Sequence, residues 1–383
     1  MTLKEKNDLP VIAICYDFDK TLSPDDMQAQ GYIQSIGFDV NEFWTKSNGR
    51  ATENDMDQNL AYMLTMKEEA EGKVLFTKHE LANHGSKVKL FPGVEEWFGR
   101  INAYGLQKGV KIEHYIISSG LKEMIEGTSI AGEFEKIYAT SFYCNDKGVA
   151  VWPAQVVNYT NKTQFLFRIS KGVLNVNDQA VNDYFAPENI RVPFRNMVYI
   201  GDSDTDIPCM KLVNSKDGYS IGVYNPDKKD KTKVYKMMRD NRISYYASAD
   251  YSVGSELDKL VKLIIDKTVY NEQLQRIHYG LESEMKSQVD GNIKEDYSLE
   301  KKELISELDD STNFLQTHGI IKRLSKFDNW SDDEVETLLK IAIDNGQVGR
   351  ILGDPDLTDF YTKILNDYDL DNPNAKKVRE KIE

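Results

Sequence analysis

Three short apolar runs, each ending on residues that carry chemistry, constrain this chain more than any other feature. "VIAICYDFDKTL" takes a strand-like run, residues 10–17, into Asp17 and Asp19; "EHYIISSG" ends on Ser118; "NMVYIGDSDTD" ends on Asp202, with Asp206 four positions on. Burying aliphatic side chains is favourable and burying carboxylates is not. A strand that stops at an aspartate therefore reads as one whose end meets solvent or a ligand. Helical patterns separate the runs, and strands alternating with helices imply an α/β fold with a doubly wound parallel sheet of the Rossmann-like kind. Ligands bind such sheets beyond the carboxyl ends of the strands. Polar groups delivered to one edge by three strands are hard to explain as packing.

Between the first two runs, residues 23–89 have helical periodicity, and Met56, Leu60, Met63 and Leu64 mark one face that reads as helix-packing core. "LFPGVEEWFGRINAYG" is a Pro-Gly turn leading into an amphipathic helix, "FYCNDKGVAVWP" a hairpin, and residues 162–170 a helix. "GYSIGVYNP" supplies a last strand and "ADYSVG" the entry to a closing helix at 255–272. Residues 280–300 are polar and read as a linker or an exposed helix. Helical patterns return at 306–365, where "WSDDE" is suited to a helix start and "DNG" to a stop. The expected division is a core of 1–22 and 90–278, a helical insert at 23–89, and a linker with a small C-terminal helical domain at 279–383, in which Trp330 and Phe360 belong to the core.

A length of 383 residues suits two or three domains. The net charge of −14 counts against nucleic acid and anionic membranes as partners, and it means that a phosphate site would need local positive charge. The basic stretch "PDKKDKTKVYK" reads as a solvated loop and helix start. Cys15, Cys144 and Cys209 form neither a disulfide framework nor a CxxC pair, and a thiol nucleophile is the weaker reading of them. No apolar run approaches the ~20 residues that span a bilayer, and the N-terminal residues lack the apolar core of a signal peptide. The expectation is a cytoplasmic protein with no membrane partner.

Taken as chemistry, Asp17 can attack an electrophile, and Asp19 can give a proton to a leaving oxygen and later take one from water. Two neighbouring carboxylates raise the pKa of one of them. Asp202 and Asp206 offer the hard oxygen ligands that magnesium prefers. Ser118 can donate to a phosphate oxygen, and a lysine can add the missing positive charge.

These residues, in this order, resemble the haloacid dehalogenase superfamily of phosphohydrolases. "DFDKT" is similar to its first motif, DxDx[TV]; "YIISSG" to its second; "YIGDSDTD" to its fourth, GDxxxD. The third is a lone lysine, taken here as Lys162 in "YTNKTQFLFRI", at a helix start as in the phosphoserine-phosphatase-like branch, with Lys171 in "ISKG" as the fallback. The resemblance spans residues 10–272. It implies Asp17 as nucleophile and magnesium ligand, and Asp19 as general acid/base with its backbone carbonyl on the metal. It further implies Asp202 as the third protein ligand, Ser118 and Lys162 as phosphate-binding groups, Asp206 as support for the metal site or the lysine, and Thr21 as a steadying residue of the loop. An acid at Asp19 favours phosphate esters, since dehalogenases need no proton donor there and P-type pumps carry threonine. The helical insert resembles a cap that closes over small substrates, which implies a magnesium-dependent phosphatase acting on a small phosphorylated metabolite through an aspartyl-phosphate. Asp25, Lys46 and Arg50 are candidate substrate contacts, each more simply read as solvated surface. The rival readings are a regulatory protein on the same scaffold, with the C-terminal domain binding a protein partner, and a phosphotransferase or nucleic-acid end phosphatase.

Overall fold

The computed structural model describes residues 9–290, 296–328, 330–367 and 373–382. Among them seven strands form one sheet: β1 Val11–Tyr16, β2 Lys111–Leu121, β3 Lys136–Cys144, β4 Ala150–Gln155, β5 Met197–Gly201, β6 Tyr219–Tyr224 and β7 Tyr245–Ser248, in the order β4-β3-β2-β1-β5-β6-β7. Every neighbouring pair is parallel except β3–β4, the hairpin around "CNDKG".

The central strand β1 is buried on both faces, as parallel strands covered by helices must be. Ile12, Ile14 and Tyr16 pack with Val94, Trp97, Phe98 and Ile101 of the helix Val94–Gln107 and with Leu257, Val261 and Ile264 of the helix Glu256–Asp290. Val11, Ala13 and Cys15 point the other way, to Phe165, Leu166 and Ile169 of the helix Thr163–Lys171 and to Met210 and Val213 of Ile207–Asn214. This two-residue alternation makes the fold α/β and doubly wound. Tyr16 pairs in register with Ile116 of β2 and Ile200 of β5, so Asp17, Ser118 and Asp202 all leave the sheet at one edge.

Between β1 and β2 the helices Val40–Glu53, Gln58–Ala70 and Lys78–Gly85 are capped by Asp39, Asp57 and Thr77, whose side chains accept backbone N–H groups of the first turns. The apolar face of Gln58–Ala70 differs from the expected one: Ala61, Tyr62, Met63, Met66 and Ala70 are buried, Met56 precedes the Asp57 cap, and Leu64 is 37 % exposed. Tyr62 claims the inward position, and its hydroxyl donates to Ser119 O at 3.0 Å. The closing helix runs on to Asp290, beyond the expected 272.

On the face opposite the Glu113 side of β2, His114 sits in a buried chain of hydrogen bonds. Trp97 Nε1 donates to the Tyr16 hydroxyl at 2.8 Å, which leaves the tyrosine proton for His114 Nδ1 at 3.0 Å. His114 Nε2 must then carry the ring proton and donate it to Asn102 Oδ1 at 3.0 Å. Burial pushes the imidazole down to about 3 from an ordinary 6.5, against a smaller opposing pull from Glu113. Below pH 6.5 the unfolded chain binds a proton that the native imidazole refuses, so stability falls as pH drops from 6.5 towards 3, by up to ~1.4 kcal/mol per pH unit from this group. Urea titrations across that window, on wild type and His114→Gln, check the assignment. The variant should have a shallower pH slope, and equal slopes would remove His114 from the account.

The chain divides into two compact units, Met1–Arg276 and Ile277–Glu383. The second is helical, with a core of its own that includes Leu304, Ile321, Leu338, Leu339, Tyr361 and Val378. Trp330 and Phe360 belong to that core, ring edge to ring face at 6.0 Å. Ser331 and Glu334 form a capping box at the start of Asp332–Asp344, and Asn345 ends that helix and caps the next. No helix among the described residues is long and apolar enough to cross a membrane.

Candidate active site

The site is built where β1 and β5 end. Asp17 N donates to Ile200 O at 3.0 Å, which extends the ladder by one residue past each strand. The chain then turns sharply: Thr21 N and Leu22 N both donate to Phe18 O, and Lys20 takes a left-handed φ of 59°. A non-glycine residue there is uncommon and is found where surrounding structure imposes it. The turn leaves Asp19 at the same edge as Asp17, with Asp19 Oδ1 accepting from Met27 N at 2.7 Å. Thr21 is buried, and its carbonyl accepts from the Tyr251 hydroxyl at 3.0 Å, which pins the loop.

Lys162, the residue before the helix Thr163–Lys171, is fully buried. Its Nζ donates to Asp206 Oδ1 at 2.7 Å and stands 3.3 Å from Asp17 Oδ1. Lys171, the fallback, lies elsewhere and donates to the carbonyls of Val181 and Asp183. Asp206 also accepts from the Tyr199 hydroxyl at 3.0 Å and from Ser203 N at 3.2 Å. Gly201 makes this close approach possible, since a Cβ there would meet Asp206 Oδ2 at 2.5 Å. Ser118 is buried at the end of the apolar part of β2, its Oγ accepting from Gly120 N at 3.1 Å.

Burial dominates the electrostatics. It pushes the Asp17 carboxyl up to about 6, Asp206 adding to the rise and Lys162 opposing it. Burial raises Asp202 to about 7, with Lys233 pulling the other way. Asp19 is held well above the ordinary carboxylate range by burial and by the charges of Asp26 and Asp17. Lys162 stays charged: burial lowers its pKa, but Asp17 and Asp206 together raise it above the ordinary lysine value.

Asp17, Asp202 and Asp206 each offer a carboxylate oxygen, all within 4.8 Å of one another. The residues fit a hard divalent cation. The donors are all oxygen, Asp17 Oδ1 is buried with no hydrogen bond, and Asp202 has Lys233 at 3.5 Å. Asp206, expected in support, lies within this cluster, whereas the Asp19 side chain is turned to Met27 N. Cys15 and Cys209 are buried with thiol pKa values raised by burial, which suits packing and not attack.

A cavity of about 280 Å³ opens over this edge, lined by Asp17, Asp19, Ser118, Asp202 and Gly120 from the strand ends and the loops after them, and by Gln28, Trp44, Asn48, Gln58, Asn59 and Tyr62 from the segment between β1 and β2. Lys20, Asp26 and Lys233 also line it. Lys233 comes from the basic stretch read as solvated; that stretch's charge was the available signal, but nothing local tied it to Asp202. Of the candidate substrate contacts, Lys46 pairs with Glu69, Arg50 pairs with Glu68, and Asp25 accepts from Asp26 N; none of the three lines the cavity.

Residues 14–211 match the family model of haloacid dehalogenase-like hydrolases. The chain belongs to that family. The matched span of this haloacid dehalogenase-like hydrolase runs from β1 through most of the helix Ile207–Asn214 and contains Asp17, Asp19, Ser118, Lys162, Asp202 and Asp206. An uncharacterized protein of Borreliella burgdorferi is 27 % identical over 278 residues, covering 64 % of this chain and 94 % of that one. A HAD family hydrolase of Salmonella enterica subsp. enterica serovar Typhi has a similar solved structure, with 16 % identity, a TM-score of 0.44, and 68 % and 73 % of the two chains covered. A substrate-bound phosphoserine phosphatase is similar at 14 % identity with a TM-score of 0.41, covering 68 % of this chain and 98 % of its own.

Proposed function

We propose that this hydrolase cleaves small phosphomonoesters through an aspartyl-phosphate on Asp17, with magnesium as its cofactor. One observation carries the reading: a buried Asp17 oxygen with no hydrogen bond stands beside a charged, buried Lys162, while burial pushes the carboxyl of Asp19, two residues on, well above the ordinary carboxylate range. In the first step Asp17 attacks phosphorus and the bond to the ester oxygen breaks, Asp19 giving its proton to the leaving alkoxide. In the second, Asp19 takes a proton from water, the water oxygen attacks phosphorus, and the Asp17–phosphorus bond breaks to release phosphate. Lys162 and the Ser118 hydroxyl hold the phosphate oxygens through both steps. The Asp17 and Asp202 carboxylates and the Asp19 carbonyl would hold magnesium, which would supply positive charge against the phosphate oxygens. Asp206 keeps the Lys162 ammonium in place.

In this reading residues 1–22 and 90–278 are the catalytic core, residues 23–89 are a cap that excludes water, and residues 279–383 are an added helical domain open to a protein partner. Free cysteines without a disulfide favour the cytoplasm.

The test is phosphate release from aryl and alkyl phosphates, with magnesium or with chelator. Chelator should abolish release from both. Asp19→Asn should slow alkyl phosphates by about 10²-fold or more and p-nitrophenyl phosphate much less, because a good leaving group needs no proton. Equal slowing of the two would take the general-acid role from Asp19, and release untouched by chelator would take magnesium out of the reading.

A further inference from the structure

Beside the charged Lys20, Asp26 and Lys233, the cavity is lined by a set of uncharged side chains from the helical insert. The stretch from Met27 to Ala70 contributes Gln28, Trp44, Asn48, Gln58, Asn59 and Tyr62 to the lining, and no acid or base. Gln28 is 2 % exposed and lines the cavity, and no hydrogen bond to its side-chain amide is seen among the described residues. The Asn48 and Gln58 amides are likewise uncommitted, while Asn59 uses only its Nδ2, on Val157 O at 2.7 Å. Trp44 and Tyr62 stand next to each other, ring centroids 6.1 Å apart.

The cations near the cavity are already engaged. Lys20 Nζ contacts both oxygens of Asp26 at 2.8 Å, and Lys233 faces Asp202 at 3.5 Å. Lys46 and Arg50 are tied to Glu69 and Glu68. A carboxylate on the alcohol half of a substrate would meet Asp26 in the lining and would have to break the Lys20 or the Lys233 ion pair to find a cation there. Charge placed in such a site without a partner is costly. A hydroxyl both donates and accepts, as an amide side chain does, so uncommitted amides match hydroxyls better than they match a carboxylate or an ammonium. The two rings offer apolar faces to a C–H surface. The volume, at the lower end for ligand pockets, suits a single sugar ring or a short polyol and not a nucleotide.

Resting on the phosphatase reading, we infer that the leaving alcohol is an uncharged polyhydroxyl compound, so that the substrate class is polyol or monosaccharide phosphates and not phosphoamino acids. Gln28, Asn48 and Gln58 are its specificity-determining residues.

The experiment compares kcat/KM on glycerol phosphate, a hexose 6-phosphate, O-phosphoserine and phenyl phosphate, using the full chain with magnesium. At least one of the two hydroxylated esters should exceed O-phosphoserine by tenfold or more. Gln28→Leu should cut the ratio of that ester to phenyl phosphate by about tenfold. Asn48→Ala, at an exposed position whose side chain bonds nothing, should cut the ratio severalfold with no risk to folding. O-phosphoserine turned over as well as the hydroxylated esters, or a ratio unmoved in both variants, overturns the substrate class and leaves the phosphatase reading intact. No release from any ester overturns both.

Discussion

Asp17→Asn is expected to lower phosphate release by on the order of 10³-fold or more, with no loss of thermal stability. The amide keeps the shape of the side chain but is a poor nucleophile, so the covalent step proposed above would have nothing to start it. Stability should behave in the opposite way from an ordinary buried-pair mutation. Lys162 faces two carboxylates, at 2.7 Å and 3.3 Å, and the nearer one, Asp206, remains its partner in the variant. What is removed is a desolvated charge beside Asp206, and that charge is unfavourable enough to push the Asp17 carboxyl up to about 6. Thermal melts should be run in chelator, because a cation bound to wild type alone would stabilise it by mass action. A clear fall in Tm would mean that Asp17 is structural, and residual turnover within tenfold of wild type would remove it as nucleophile.

Arg191→Met should be among the most destabilising single changes in the Met1–Arg276 unit, at about 3–5 kcal/mol. Its guanidinium grips Glu113 with two parallel bonds, Nη1 to Oε2 at 2.8 Å and Nη2 to Oε1 at 2.6 Å, and both side chains are almost wholly buried. Tyr115 and Lys111 add bonds at 2.7 Å and 2.9 Å. Burial alone would raise the Glu113 carboxyl, but Arg191, Lys111 and Tyr115 outweigh it and hold the group well below the ordinary range. Its folded pKa lies below its unfolded one, so the stabilisation is complete above about pH 4.5 and fades as pH falls further. Arg191→Met strips two charge-assisted bonds from a buried carboxylate whose other partners include a half-exposed lysine and a hydroxyl. The double variant Glu113→Leu with Arg191→Met should be more stable than Arg191→Met alone, since no charge is then orphaned. Urea denaturation of both variants and wild type measures the coupling. Additive losses would mean that the pair contributes nothing as a pair.

These two sites differ in how far the sequence discloses them. Asp17 and Asp19 were legible because a strand's period of two and the penalty on buried carboxylates act on neighbouring residues, and "DFDKT" and "GDSDTD" keep their spacing in any packing. Lys162 was legible only through the family resemblance, with Lys171 as rival; their separation came from the 44 residues of chain that bring Asp206 to one lysine and not the other. The Glu113–Arg191 pair spans 78 positions and left no local mark. The face of Gln58–Ala70 was misjudged because periodicity identifies a stripe but not which flank of it a neighbouring element covers; there Tyr62 turned inward and Leu64 outward.

By itself the sequence determined the alternation of strands and helices, the edge of the sheet where chemistry gathers, and the family's acid pairs, all consequences of short-range geometry and burial. The tertiary structure decided which lysine meets Asp17, that Asp206 lies among the oxygen donors, that Lys233 comes to Asp202, and that the amides of Gln28, Asn48 and Gln58 line the same cavity. Those depend on side chains from distant segments arriving within a few ångströms of each other, and only the packed core sets such distances.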